Sequence, residues 1–326
     1  MRTHIRTAAV TVVGLAVATS IVIAAGVHFK RTTGAVAPPR SQATAPPPLL
    51  SYLGVYEPTS PASYSGVDEF AGLIGRRPNI AVYYSSWWEP FQLAFARAAV
   101  AHHAIPMVQI EPRDISVAAI GAGQYDAYLR AYARAVRSLR RPVIVSFGHE
   151  MNADWYSWGY RHTSPAVFVA AWRHIYKLFT AVGADNVKWL WTVNVVPGPR
   201  VSAIKAWWPG EAYVTWVGVD GHYFQPGIRF PDLFGAALGQ VRSLSRDPVL
   251  IAETGIAPVA GTDKIIDLFA GARAHGLLGV VWFDVKGHNL RVENDPAAIA
   301  AFKRAVGNYL ARDTGGGHGG AVPTHK

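Results

Sequence analysis

The chain has 326 residues, half of them hydrophobic and 12% aromatic, with a formal charge of +10 and no cysteine. That length means one large domain or two small ones with enough apolar material for a sizeable core. The lack of cysteine excludes disulfides and thiolate metal sites but does not argue against export, because a domain of this size folds on its core alone. Arg2, Arg6, Lys30, Arg31 and Arg40 lie in a stretch without any acid, so half of the positive excess sits outside a plausible fold, and without a basic stripe interleaved with aromatics nucleic-acid binding is disfavoured.

The first element is an uncharged run from Ala8 to Val27, flanked by Arg2 and Arg6 before and Lys30 and Arg31 after. As a helix it would reach about 30 Å, the thickness of a hydrocarbon core, and it exceeds the usual apolar region of a signal peptide. Residues 1–33 are therefore read as a signal anchor, with a signal peptide cleaved after Ala35-Val36-Ala37 as the alternative that Pro38 opposes. Either reading puts the bulk of the chain outside the cytoplasm, membrane-anchored or secreted. Residues 34–49, with Pro38, Pro39, Pro46, Pro47 and Pro48, read as an extended, semi-rigid linker. At the far end, residues 313–326 are Gly-rich and expected to be disordered, and His318 and His325 are too few to suggest a metal site.

Between these segments, residues 50–312 alternate short apolar runs with amphipathic stretches. The runs are Leu50–Tyr56, Asn79–Tyr84, Ile105–Ile110, Pro142–Phe147, Val187–Val193, Val214–Val219, Pro248–Ala252 and Leu278–Phe283. They are rich in Val, Ile, Leu and Trp with little alternation, as expected of strands covered on both faces. Gln124–Leu139, Pro165–Val182, Phe230–Leu244, Thr262–His275 and Pro296–Leu310 carry helical spacing, with Ser164 and Asp295 placed as caps before a first-turn proline. Eight strand–helix units in this span match an α/β fold of the (β/α)8 TIM barrel type; a doubly wound sheet would have fewer strands, and no Gly-rich dinucleotide loop follows the first.

A barrel of this kind carries its active site at the C-terminal strand ends. Two glutamates stand there, Glu150 after the fourth strand and Glu253 after the seventh, among several of the chain's eleven tryptophans. Cleaving a glycosidic bond takes one carboxylic acid to protonate the leaving oxygen and a carboxylate across the anomeric carbon, while flat aromatic rings meet the C–H faces of pyranoses. The pattern therefore points to sugar chemistry on a carbohydrate chain.

Residues 149–159 (HEMNADWYSWG) resemble the acid/base motif of glycoside hydrolase family 26, and residues 251–255 (IAETG) resemble its nucleophile motif. Residues 123–133, 207–221 and 280–284 are similar to further family patterns, so the resemblance covers residues 51–310. It implies a retaining endo-β-glycanase, needing no cofactor and no metal, that acts as a monomer on a β-linked polysaccharide such as β-1,4-mannan or mixed-linkage β-glucan. Carried onto this chain it makes Glu150 the general acid/base and Glu253 the nucleophile, with the carboxyl groups about 5–5.5 Å apart. His149 would hold a carboxylate or a sugar hydroxyl, and Trp282 would floor the subsite of the reacting sugar. Trp88, Glu111, Asn152, Trp155, Trp158, His222 and Tyr223 complete the expected substrate-binding set. The chain departs from the family pattern at Ser146, where arginine is usual, at His222, where tyrosine is usual, and at Thr215, where aspartate is usual.

Structural roles compete at several of these positions. Asn152 could cap a turn, His149 could be a hydrogen-bonded core histidine, Trp155 and Trp158 could be packing, and Glu111 could pair with Arg113. Trp87 and Trp88 are adjacent, so one of them is expected in the core. HEMN is not HExxH, which excludes a zinc-protease reading. The alternative functions are a polysaccharide-binding protein on a weakened glycosidase barrel, motivated by Ser146 and His222, and a glycanase that remodels envelope polymers, motivated by the anchor.

Overall fold

The computed structural model describes residues 48–195, 202–286 and 289–311. The apolar run, nearly all of the linker and the C-terminal tail lie outside the described residues. Among the described residues no helix is long and apolar enough to cross a membrane.

Eight parallel strands close into a barrel: β1 (Tyr52–Tyr56), β2 (Ile80–Ser86), β3 (Ile105–Glu111), β4 (Val143–Phe147), β5 (Val187–Asn194), β6 (Trp216–Asp220), β7 (Val249–Thr254) and β8 (Gly279–Phe283), with β8 pairing back to β1. Every strand expected from the apolar runs is present, each end within two residues of its expected place. Around the barrel lie α1 (Ser65–Ile74), α2 (Leu93–Ala101), α3 (Val117–Gly121), α4 (Asp126–Ser138), α5 (Pro165–Val182), α6 (Phe230–Leu244), α7 (Asp263–Ala274) and α8 (Pro296–Tyr309). The helix after β5 is replaced by two 3-10 turns, Ile204–Trp207 and Glu211–Tyr213.

Local chemistry explains the helix ends. The Ser164 hydroxyl accepts from the Val167 amide, and the Asp295 carboxylate accepts from the Ala297 amide at 2.8 Å, each just before a proline whose missing N–H is no loss in a first turn. Helices α1 to α3 escape a periodicity reading because α2 (LAFARAAVA) is nearly all apolar and α3 has only five residues.

Alternation along the strands sorts side chains between two cores. Ile80, Val82, Met107, Ile144, Leu190, Trp216, Leu250 and Val281 fill the barrel interior, and the Tyr52 ring packs on Trp216 with centroids 5.1 Å apart. The alternate residues, such as Val55, Val145, Trp191, Val219 and Ile251, join the larger core between sheet and helices. The interior is thus plugged below, leaving only the C-terminal strand ends open to polar residues. At the opposite end Leu50 and Leu310 form a parallel bridge that ties the first strand to the residue after α8.

Leu190 is completely buried inside this plug. Truncating it to alanine leaves a cavity that the ring of strands cannot collapse into, so Leu190→Ala is expected to lower unfolding stability by about 2–5 kcal/mol, read from the midpoint of guanidinium denaturation.

Candidate active site

Glu253 reaches the barrel mouth through an irregularity. Leu250 and Ala252 face the interior and Ile251 faces the helical layer, so plain alternation would send Glu253 outward. Between β6 and β7, however, the register passes from Val219↔Ile251 to Asp220↔Glu253, and between β7 and β8 from Ile251↔Val280 to Thr254↔Trp282. Strand β7 carries one residue more than either neighbour, a bulge that re-aims the side chain. The Glu253 carboxylate then accepts a hydrogen bond from the Tyr84 hydroxyl of β2 and lies 3.5 Å from His222 Nε2 beyond β6.

Glu150 sits in the turn leaving β4. Gly148 and Glu150 both have φ of +54°, in the left-handed region, which a glycine enters freely and a glutamate only at a cost of order 1 kcal/mol. That strained turn is held from several sides. The Glu150 amide donates to Thr192 O at 2.9 Å, the Trp158 indole donates to His149 O at 2.8 Å, and the Tyr160 amide donates to Met151 O at 2.9 Å. Gly159 closes the loop where a Cβ atom would lie 2.3 Å from the Ala153 carbonyl oxygen, so no side chain fits there. Asn194 Nδ2, at the end of β5, donates to Glu150 Oε1 at 2.5 Å, and Trp155 Nε1 donates to Oε2 at 2.6 Å.

Burial dominates the electrostatics. Glu150 is held above the usual carboxylate range by desolvation, opposed by the donors on Asn194 and Trp155. Glu253 is pushed up to about 8 by desolvation and then by the charge on Glu150, opposed by Tyr84. Asp220, paired in register with Glu253, is wholly buried and held well above its ordinary value by desolvation first and then by the charges on Glu253 and Glu150. The two glutamates therefore interact strongly enough that ionising one disfavours ionising the other, and around neutrality the pair keeps a proton. Desolvation, with the Arg113 charge adding, lowers His149 to about 3, which keeps its imidazole neutral; its Nε2 faces the Tyr156 hydroxyl at 3.2 Å. Among the described residues no group of three or more His, Cys, Asp or Glu could hold a metal ion.

The expected site residues divide. Glu150, Glu253, His149, His222 and Trp155 come together at the mouth. Glu111 is there too, with both oxygens taken by Arg113 in a fork of 2.7 and 3.0 Å, and its charge contributes to raising Glu253. Trp88 lies farther out on the rim, 60% exposed, while its neighbour Trp87 is buried.

Four expectations need correction. Trp282 does not floor the cleft: it is buried on the outer face of β8 against Phe302 of α8, with its indole nitrogen bonded to Asp284 and Leu290, because alternation turns Phe283 inward instead. Tyr223 is wholly buried, packing on Phe234 of α6, with its hydroxyl 3.4 Å from Asp267. Trp158 is buried, stacked on Tyr156 at 4.3 Å, and supports His149 from behind. Asn152 faces no cleft: its side chain exchanges two hydrogen bonds of 2.9 Å with the backbone of Asn194, which sets that residue to hold Glu150.

Asn194, Asp220, Tyr156 and Phe283 stand at strand tips in the sequence without a role being assigned to them there, and Tyr84 is missed; Phe283 stacks on Tyr56 at 5.1 Å and meets His222 at 5.9 Å. Counting alternate positions back from each strand tip would have pointed to Tyr84, Asn194, Asp220 and Phe283, since each shares parity with the interior residues of its strand.

The family model for Glycosyl hydrolase family 26 matches residues 122–244. Endoglucanase H of Acetivibrio thermocellus is 28% identical over 273 residues, which covers 78% of this chain and 30% of that protein. Beta-1,3-xylanase TXYA of a Vibrio species is 29% identical over 108 residues, 33% of this chain and 22% of that protein. This chain thus spans less than a third of the length of either relative. Among solved structures, the catalytic domain of a Bacillus endo-beta-1,4-mannanase superposes with a TM-score of 0.63 at 16% identity, covering 80% of this chain and 87% of that one, a likeness of fold.

The site generates two expectations. Asn152→Ala removes both buried bonds to Asn194 and leaves that backbone unpaired, so thermal unfolding should show a loss of about 1–3 kcal/mol. His149 titrates near 3 when folded against 6.5 in the unfolded chain, so the unfolded state takes up more protons between those values. Its contribution is complete above about pH 6.5 and is lost as pH falls toward 3, at most about 1.4 kcal/mol per unit. Urea denaturation of wild type and His149→Gln from pH 6.5 to 4.5 should diverge in that direction, the raised glutamates acting alike in both; parallel curves would mean that His149 is not held neutral.

Proposed function

We propose that this chain is a member of glycosyl hydrolase family 26 and a retaining endo-β-glycanase that opens a β-linked polysaccharide through a covalent glycosyl-enzyme, a reading supported by the family model over residues 122–244 and by the endoglucanase likeness. The observation that carries this reading is a pair of buried glutamates at the barrel mouth that raise each other's proton affinity, each gripped by its own hydrogen-bond donors.

In the first step a Glu253 oxygen attacks the anomeric carbon while Glu150 gives its proton to the glycosidic oxygen. The C–O bond breaks, the leaving chain departs as an alcohol, and Glu253 is left as a glycosyl ester. Esterification removes the charge that helps keep Glu150 protonated, so Glu150 then accepts a proton from water as that water attacks the same carbon and frees Glu253. Tyr84 suits the nucleophile's needs: burial and the charge on Glu253 hold its hydroxyl well above the ordinary tyrosine value, so it remains a donor throughout. His222, between the rings of Phe224 and Phe283, stands where it meets the other oxygen of Glu253.

For the substrate we favour a β-glucan over a β-mannan. Support comes from the endoglucanase that matches 78% of the chain, whereas the mannan endo-1,4-beta-mannosidase of the same 28% identity matches only 24% of it. A binding-only role is less well supported, because Tyr84 and His222 together supply the polar contacts that Glu253 would otherwise lack. The apolar run ahead of residue 34 supports action outside the cytoplasm, on a tether or after release.

Hydrolysis assays on mixed-linkage β-glucan, β-mannan and β-1,3-xylan test the proposal. Glucan cleavage with β-configured product, reduced at least about 10³-fold in Glu253→Ala and in Glu150→Ala, is the expected result. Activity should fade as pH rises past about 8, where the pair gives up its shared proton. Inverted product would overturn retention; cleavage that survives Glu253→Ala would overturn the site.

A further inference from the structure

The rim of the barrel carries a ring that neither the core nor the reacting centre uses. Trp88 follows the last residues of β2 and is 60% exposed, the most exposed aromatic among the large hydrophobics of the described residues. Its φ is +76°, a left-handed backbone that costs an aromatic residue of order 1 kcal/mol. Exposing a large apolar ring in a strained conformation is a double cost, and residues kept in such positions tend to mark function.

The ring is also held in place. Tyr125 meets it at 5.4 Å and 83°, Tyr128 at 5.3 Å and 64°, and the buried Trp87 at 6.4 Å and 73°. All three contacts are steeply tilted or edge-to-face, so the indole is braced by neighbouring rings without a parallel stack. Tyr128 is itself fixed by a 2.9 Å hydrogen bond from its hydroxyl to Glu89 O. A braced, solvent-facing indole with little freedom left to lose is a preorganised stacking surface.

Its place in the barrel sets what it meets. Trp87, beneath it, touches Phe147 at the end of β4 at 6.4 Å, three residues before Glu150. Trp88 thus stands at the strand-end face that carries the two glutamates, and its ring neighbours Trp87, Tyr125 and Tyr128 are not among the residues that hold either of them. A polymer lying across the mouth would pass over it.

We infer that Trp88, braced by Tyr125 and Tyr128, is a remote sugar-stacking platform that binds a pyranose ring of the same β-glycan chain at a distance from the scissile bond and so favours long substrates over short ones. This rests on the polysaccharide reading above, but its test is separable from catalysis. The platform acts on binding, so it is measured in a Glu253→Ala background by calorimetry, with hexasaccharides and trisaccharides of β-1,3-1,4-glucan, β-1,4-mannan and β-1,3-xylan. Adding Trp88→Ala should weaken the hexasaccharide Kd about tenfold and the trisaccharide Kd by less than about twofold, and Trp88→Phe should recover most of the loss. Equal losses at both lengths would make Trp88 a structural residue and overturn the platform, as would an unchanged hexasaccharide Kd or no oligosaccharide binding at all. Length-dependent binding without hydrolysis by the wild type would sink the catalytic reading and leave the platform standing; hydrolysis with length-independent binding would do the reverse.

Discussion

Taking two carboxyl groups out of water within electrostatic reach of each other is the constraint on which the rest of this structure depends. Each glutamate alone would resist ionisation in such a place, and together they resist it more. The fold answers with partners from four separate strand ends: Asn194 at the end of β5 and Trp155 in the β4 loop for Glu150, Tyr84 on β2 and His222 beyond β6 for Glu253. None of these is near its carboxylate in sequence except Trp155. Only closure of the sheet brings them together, which is why the plugged interior beneath them, from Trp216 to Val281, matters to the chemistry above.

The second layer of support is as specific as the first. Asn152 contacts neither glutamate, yet it locks the Asn194 backbone through a reciprocal pair of hydrogen bonds. Trp158 ties down the carbonyl of His149, and Gly159 lets the loop return under itself. A positive φ at Glu150 is tolerable because these contacts over-determine the turn. Preorganised polar groups of this kind are worth more in a dry site than in water, since they need not reorient when charge moves.

Much of the fold was legible from residue order. Runs of Val, Ile, Leu and Trp flanked by helical periodicity mark strands buried on both faces, and all eight were placed from that signal. The glutamates were legible because each sits at a strand tip within a recognisable motif. What was not legible depends on side-chain phase and on distance. Trp282 and Phe283 are adjacent aromatics at one strand end, and only the pleat decides that the phenyl ring enters the mouth while the indole goes to α8. Trp158 and Asn152 lie inside the motif that marks the site, so proximity in sequence suggested contact with substrate, whereas packing uses them to brace the loop. Tyr84 precedes Glu253 by 169 residues, and no local pattern links the two.

The extra residue in β7 has a consequence for how such a barrel changes over evolutionary time. Because Glu253 owes its inward aim to a one-residue offset, a slip of β7 that paired Ala252 with Asp220 would swing the carboxylate into the helical layer, whereas deleting Ala252 would leave Glu253 opposite Asp220 and still aimed inward. In such a slip neither glutamate would have been substituted, and the rest of the sheet could keep its pairing. Gain or loss of enzymatic competence in this architecture is thus open to a frameshift of the pleat, a change that a comparison of residue identities alone would score as conservation.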